Sequence, residues 1–129
     1  MAGFRDLEVW RQAHGLVLDI YRATKKFPKD ELFGLTSQIR RSGFSVPANI
    51  AEGNGRAGRN EYVQFLTIAR GSLNETGYSS ITCLRSGIHQ QPGGAGTRCQ
   101  SGHRRTSPGR SDSFIKKERV TTSLLFQTA

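Results

Sequence analysis

The first 27 residues carry hydrophobic side chains at steps of three and four positions. One set lies on a single helical face and comprises Val9, Ala13, Leu16, Val17, Ile20 and Ala23. An adjoining stripe comprises Leu7, Trp10, Val17 and Tyr21. An apolar arc of this width is typical of a helix that contacts more than one partner helix. Pro28 lacks a backbone donor and ends the pattern, so the spacing predicts a helix over residues 4–27.

A second amphipathic segment follows over residues 30–52. Asp30 or Glu31 begins it, because a carboxylate stabilises the positive end of a helix. Its inner positions are Leu32, Leu35, Ile39 and Val46. Pro47 removes one main-chain hydrogen bond and predicts a kink there. The glycines at positions 53, 55 and 58 then indicate a helix end and a loop.

A third helix is predicted over residues 60–76, with Gly58 or Asn60 as its cap. Its inner face comprises Tyr62, Phe65, Leu66, Ala69 and Leu73. Beyond Thr76 the periodicity fails, because residues 77–113 hold seven Gly, seven Ser, two Pro and one acidic residue. This composition is typical of disorder.

We therefore expect two parts: a helical bundle domain over residues 1–76 and a low-complexity basic tail over residues 77–129. The fold class is all-α, with three helices of an up-down four-helix bundle and a disordered or irregular tail. A competing prediction is a short replacement helix over residues 114–126. Its apolar members are Phe114, Ile115, Val120, Leu124, Leu125 and Phe126.

Positive charge is concentrated in the tail. The net charge is +9, of which residues 1–76 contribute +3 and residues 77–129 contribute +6. A sequence pI near 10.4 ordinarily favours a nucleic-acid or anionic-surface partner. The excess lies in the segment predicted to be disordered, which weakens that inference for the domain.

The sequence gives little support for catalysis or for a cofactor. Cys83, His89, Cys99 and His103 alternate as potential zinc ligands, but the first pair is too widely spaced, and we interpret the set as accidental. Hydrolase and phosphate-loop motifs are absent, and His14 is typical of a surface or interface histidine. No signal peptide or membrane span is apparent, so we expect a cytoplasmic, non-enzymatic protein without metal or cofactor.

Four blocks of residues carry a family resemblance: residues 4–10 (FRDLEVW), 34–41 (GLTSQIRR), 45–53 (SVPANIAEG) and 61–73 (EYVQFLTIARGSL). In this order they resemble the bacterial four-helix-bundle proteins associated with intervening sequences of 23S ribosomal RNA. The resemblance implies an up-down bundle, a homopentamer and no established biochemical activity. The chain is also similar to the pentameric accessory proteins of diversity-generating retroelements, which bind nucleic acid.

The resemblance stops before a fourth helix. The family continues its third helix into a turn that often reads Asp-Leu-Gly-Tyr-Ile. Residues 85–90 (RSGIHQ) can be encoded so that the same bases, read one nucleotide later, give those five residues. We hypothesise a single-base frameshift between Thr76 and Arg85, which would leave an apolar groove where the fourth helix belongs.

Arginines give the clearest functional signal in the domain: Arg40, Arg41, Arg56, Arg59 and Arg70. Guanidinium groups suit phosphate, and a pentamer would repeat them around an axis, so we expect a homo-oligomer that binds structured RNA or DNA. The simpler interpretation is ion pairing with Asp19, Glu31 or Glu52. An alternative function is a protein-interaction module that uses the apolar groove.

Four further positions are predicted to be structural. We expect the Asn49 amide to satisfy backbone groups freed by Pro47, with help from Ser45. Glu52 is expected to cap a helix or pair with a nearby arginine, and Gly53 to mark the helix end.

Overall fold

The computed structural model describes residues 3–88 and 111–128. Within them lie four helices: α1 (Glu8–Thr24), α2 (Leu35–Asn54), α3 (Arg59–Ser86) and α4 (Ser111–Thr128). Short 3-10 turns at Phe4–Asp6 and Lys29–Glu31 precede α1 and α2. The helices pack as an all-α bundle, which confirms the predicted fold class.

Helix α1 buries nearly the face that the sequence predicted. Val9, Ala13, Leu16, Val17 and Ile20 are buried. Ala23 was expected on this face but is exposed, and Thr24 takes its place. Thr24 lies one turn after Ile20, and its hydroxyl donates to the Ile20 carbonyl at 2.8 Å. That bond satisfies the hydroxyl, so the polar side chain can be buried.

Helix α2 begins later than predicted. Lys29–Glu31 form a 3-10 turn, and Leu32, which was expected to face the core, is exposed. The helix starts at Leu35, where the backbone amide donates to the Glu31 carboxylate at 3.2 Å. Glu31 therefore caps the helix from outside instead of starting it. The helix then continues through Pro47 to Asn54, and the kink at Pro47 stays a prediction.

Helices α2 and α3 run antiparallel at close range. The hydroxyl oxygens of Ser42 and Thr76 lie 3.0 Å apart. Farther along the pair, Ser72 donates to Ser45 at 3.0 Å. A Cβ atom on Gly53 would lie 2.7 Å from the Cβ of Phe65. Small residues therefore allow the two helices to approach closely.

Helix α3 extends past the predicted end at residue 76 and continues to Ser86. The extension buries Ser79, Ser80 and Cys83, which continue the buried face from Thr76 at helical spacing. Ser80 donates to the Thr76 carbonyl at 2.8 Å, so its hydroxyl is satisfied within the helix. A buried face built from small polar residues leaves no hydrophobic periodicity, which is why the sequence pattern missed it. Gly87 ends the helix in the left-handed region, with φ of 70°.

Helix α4 occupies the end of the segment that was predicted to be irregular. It includes residues 114–126, the span of the competing replacement-helix prediction. Thr121 and Leu125 are buried and Leu124 packs against the core, so α4 contributes to the bundle. Residues 89–110 of the predicted disordered stretch lie outside the described residues.

Candidate nucleic-acid interface

The five candidate arginines do not form one patch. Arg40 and Arg41 lie in the first half of α2, whereas Arg56 and Arg59 lie at the junction of α2 and α3. At ~1.5 Å per helical residue, the two groups are roughly 20 Å apart along the α2 axis. Arg70 is half-buried in the middle of α3. A nucleic acid that contacted both groups would have to follow the length of the helix.

Arg40 is held in place by neutral groups. Its Nε donates to Thr24 Oγ1 at 2.8 Å, and its guanidinium carbon lies 4.9 Å from the centre of the Tyr21 ring. No carboxylate of the described residues pairs with it. The two contacts orient the guanidinium and leave its charge uncompensated by a partner.

The arginines at the α2–α3 junction differ from one another. Arg56 Nη2 lies 2.7 Å from Glu52 Oε1, and its guanidinium stacks over the Phe65 ring at 5.1 Å. Arg59 is exposed and forms no ion pair within the described part of the chain. Arg41 is exposed in the same way on α2. Arg41 and Arg59 are therefore the two candidates whose side chains are most available to an external anion.

The predicted structural positions are all inside or beside α2. Asn49 Nδ2 donates to the Ser45 carbonyl at 2.7 Å and to its hydroxyl at 2.9 Å. The carbonyl that Pro47 leaves without its usual donor belongs to Gly43, one turn earlier, so the amide serves a different group. Gly53 lies within α2 against α3, while Gly55 is the C-cap residue.

The described residues contain no cluster of three or more potential metal ligands. Cys83 is buried in α3, and burial, with a smaller contribution from the Glu31 carboxylate, raises the pKa of its thiol to about 11. A metal binds the thiolate, which this environment disfavours. The other three candidate zinc ligands, His89, Cys99 and His103, lie outside the described residues.

His14 is exposed and stacks on Trp10, with ring centroids 4.9 Å apart and an interplanar angle of 9°. Trp10 in turn contacts Phe4 edge to face at 5.1 Å. No carboxylate of residues 3–88 or 111–128 is paired with the imidazole. The histidine therefore belongs to a surface aromatic cluster and lacks the orienting partner of a general base.

Two features of the surface were not apparent from the sequence. One is a cavity at the end of α1 lined by Lys25, Lys29, Thr36 and Arg40. Its lining residues come from the end of α1, the connection that follows and the start of α2, so they form no motif in the sequence. The one sequence signal for a basic site here is the closeness of Lys25 and Lys29 to Pro28. The other is the number of large exposed apolar side chains, which include Phe33, Phe44, Ile68, Tyr78 and Ile81. Among helices of the described residues, none is long and apolar enough to span a membrane.

Comparison with known proteins identifies the family. A crystal structure of a protein of unknown function from the S23 ribosomal protein family of Bacteroides thetaiotaomicron VPI-5482 has a TM-score of 0.68 at 21% sequence identity. The match covers 92% of this chain and 95% of that one, and it shows that the fold is shared. Among curated proteins, none matches. The family model described as 23S rRNA-intervening sequence protein matches residues 5–94, beyond the last of the four resemblance blocks. The chain therefore belongs to the family of 23S rRNA-intervening sequence proteins.

Proposed function

We propose that this protein is a non-enzymatic bundle that assembles into a homo-oligomer and binds structured RNA or DNA through repeated arginines. The observation that carries the proposal is the exposure of Arg41 and Arg59 without a carboxylate partner among the described residues. Such groups are free to neutralise phosphates. The family name refers to 23S rRNA, which makes a structured RNA the first ligand to test.

Self-assembly is supported by apolar surface on the bundle. Phe44 is 60% exposed on α2, and Tyr78 is 73% exposed on α3. Large exposed apolar side chains favour a protein interface, because their burial removes apolar area from water. A ring of identical chains, five by family resemblance, would cover such surfaces and repeat each arginine around the axis. The repetition converts weak phosphate contacts into avidity.

Arg40, Arg56 and Arg70 have a supporting role in this proposal. Arg56 forms an ion pair with Glu52, and a hydrogen bond to Thr24 orients Arg40. Such contacts lower the entropy lost when a guanidinium binds phosphate. Arg41 and Arg59 then add exposed charge, which steers an anionic partner to both groups of arginines.

The alternative function depended on a vacant apolar groove beside the first three helices. Helix α4 packs on α1 and α3 through Thr121 and Leu125, which are both buried. This packing covers part of the surface that the alternative requires, so it favours the first proposal. The exposed apolar residues Phe44, Ile68 and Tyr78 lie on α2 and α3 and favour self-assembly over capture of a peptide.

The experiment is a pair of measurements on the full chain. Light scattering gives the mass, and fluorescence anisotropy gives the affinity for a structured RNA and a DNA hairpin at several salt concentrations. Arg41→Gln and Arg59→Gln should each weaken binding and reduce the slope of log K against log salt by about 0.7 to 0.9 per lost phosphate contact. Arg11→Gln is the control, since Arg11 is exposed but belongs to neither arginine group. A monomer, or affinity that is unchanged in both variants, would contradict the proposal.

We also propose that a frameshift lies between Thr76 and Arg85. In this stretch the buried positions of α3 hold Ser79, Ser80 and Cys83, while Tyr78 and Ile81 are exposed. A helix in a bundle usually buries its apolar residues and exposes its polar ones. Here two serines are buried and two large apolar residues are exposed, which supports a changed reading frame. Sequencing of the locus, together with the intact mass of the expressed protein, tests this: a locus in which no single-base change between the codons of Thr76 and Arg85 restores the Asp-Leu-Gly-Tyr-Ile turn refutes it.

A further inference from the structure

A small cavity lies where α1 ends and α2 begins. Its volume is about 180 Å³. A tetrahedral phosphate fits this volume. Apolar side chains of Phe27, Pro28 and Leu32 form part of the wall, and polar groups form the remainder.

The polar part of the wall contains unused hydrogen-bond donors. Thr36 is 3% exposed, and its hydroxyl has no hydrogen-bond partner among the described residues. A buried hydroxyl without a partner is costly, and an oxyanion bound in the cavity would give it one. Arg40 lies one turn along the same face of α2 and uses only its Nε, toward Thr24, which leaves its terminal nitrogens available.

The rim adds positive charge. Lys25 and Lys29 line the cavity, are exposed and form no ion pair with any described residue. With Arg40 they make three cationic side chains around one small space. The first turn of α2, which carries Thr36, also presents the positive end of the helix dipole to this wall.

Groups that would oppose an anion are either hydrogen-bonded or outside the cavity wall. The carbonyl end of α1 lies nearby, but the Ala23 carbonyl accepts from Lys26 at 3.3 Å and the Thr24 carbonyl from Phe27 at 3.2 Å. Among the nearby carboxylates, that of Glu31 accepts from the Leu35 amide, and neither it nor Asp30 lines the cavity. The balance of charge at the site is therefore positive.

We propose that this cavity binds a phosphate group, with Arg40 and Thr36 as inner donors and Lys25 and Lys29 at the rim. The phosphate could belong to a nucleic-acid backbone or be a free phosphate or small phosphomonoester, because both present the same oxyanion. The first source rests on the proposed function, and the second does not. The site differs from Arg41 and Arg59, which are exposed and do not line the cavity.

The first test uses inorganic phosphate and the full chain. Thermal unfolding is followed by circular dichroism as sodium phosphate replaces sodium chloride at constant ionic strength. We expect a saturable rise in Tm, because a ligand that binds the folded state stabilises it. Thr36→Val and Arg40→Gln should each raise the apparent Kd about tenfold or more. Valine keeps the shape of threonine and removes an unsatisfied hydroxyl, so the fold should survive Thr36→Val.

Lys26→Gln is the matched control for Lys29→Gln. Both remove one exposed positive charge from the same connection, but only Lys29 lines the cavity. Lys29→Gln should weaken phosphate binding and Lys26→Gln should not. A wild-type chain without a saturable response overturns the proposal, as does equal weakening by the two lysine variants or no effect of Thr36→Val.

The second test separates the two sources of phosphate. If inorganic phosphate competes with RNA at constant ionic strength, and Thr36→Val weakens both ligands, the site holds a backbone phosphate. If Thr36→Val weakens phosphate alone, the site holds a free phosphate or phosphomonoester. RNA binding without any saturable phosphate response leaves the proposed function in place and refutes the cavity as a phosphate site.

Discussion

Lys117 Nζ lies 2.6 Å from Asp19 Oδ2 and links α4 to α1. The Asp19 side chain is 15% exposed, and it also accepts from Arg22 Nη1 at 3.1 Å. One carboxylate therefore serves two cations, one from its own helix and one from the far end of the chain. Thr121 and Leu125 continue the same face of α4 into the core, so the ion pair lies at the edge of a buried contact.

We expect this pair to stabilise the docking of α4. A double-mutant cycle of Asp19→Asn and Lys117→Gln, measured by urea unfolding, should give a coupling free energy of about 1 kcal/mol, since the pair is only partly exposed. The comparison is the Glu8–Arg11 pair, which is 3.8 Å long and more than half exposed on both sides. Its coupling should be ~0.3 kcal/mol or less. Equal couplings for the two pairs would show that Lys117 does not hold α4 in place.

The sequence predicted those parts of the fold in which the buried side chains are large and aliphatic. Leu16, Ile20, Leu66 and Leu73 are almost fully buried and were all predicted to face the core. Large aliphatic residues repeat with the helical period, so their burial can be recognised in the sequence alone. The first part of the bundle was accordingly assigned to the correct helices.

The extension of α3 beyond residue 76 was not predicted, and α4 was only a competing prediction, because several of their buried positions are polar. Ser79, Ser80 and Thr121 are buried, and a hydropathy pattern scores them as surface residues. Thr121 donates to the Lys117 carbonyl at 2.8 Å, as Ser80 does to Thr76, so each hydroxyl is satisfied locally. Such bonds form only once the helix exists, and composition cannot reveal them.

The candidate site was predictable only as a set of residue types. The sequence identified Arg40 but not its contact with Thr24, which lies on another helix. It equally could not show that Arg56 stacks on Phe65 while Arg59 stays exposed. Partners that are distant along the chain are set by packing, and they decide which charge remains available.

Gly53→Ala should destabilise the bundle by about 1–3 kcal/mol, because overpacking of a close helix contact forces backbone shifts. The added Cβ would lie 2.7 Å from Phe65 Cβ, an atom tied to the α3 backbone, and 3.1 Å from a ring carbon of Tyr62. Denaturant unfolding measures the change.

Gly71→Ala is the control for this substitution. Gly71 is exposed within α3, and a Cβ there would meet no atom within 4 Å. Alanine should stabilise this position by up to ~1 kcal/mol, because glycine is a poor helix former. If both alanine variants change stability in the same direction, the close approach of α2 and α3 at Gly53 is not a packing constraint.

Cys83 should make stability depend on alkaline pH. Burial, together with the Glu31 carboxylate, raises the pKa of its thiol from 9.0 to about 11. Between these values the folded chain retains a proton that the unfolded chain has lost. The free energy of unfolding therefore falls as the pH rises from 9 to 11. Denaturant unfolding at a series of pH values measures the slope.

Cys83→Ala isolates this contribution, because it removes the titrating thiol and leaves a small side chain in the helix. The variant should show a flatter pH dependence above pH 9. Burial also raises the pKa of the Tyr62 hydroxyl from 10.0, and that group lowers stability in the same direction at higher pH. Tyr62→Phe in both backgrounds therefore separates the two groups. A slope that is identical with and without the thiol would mean that Cys83 ionises as readily in the folded chain as in the unfolded one.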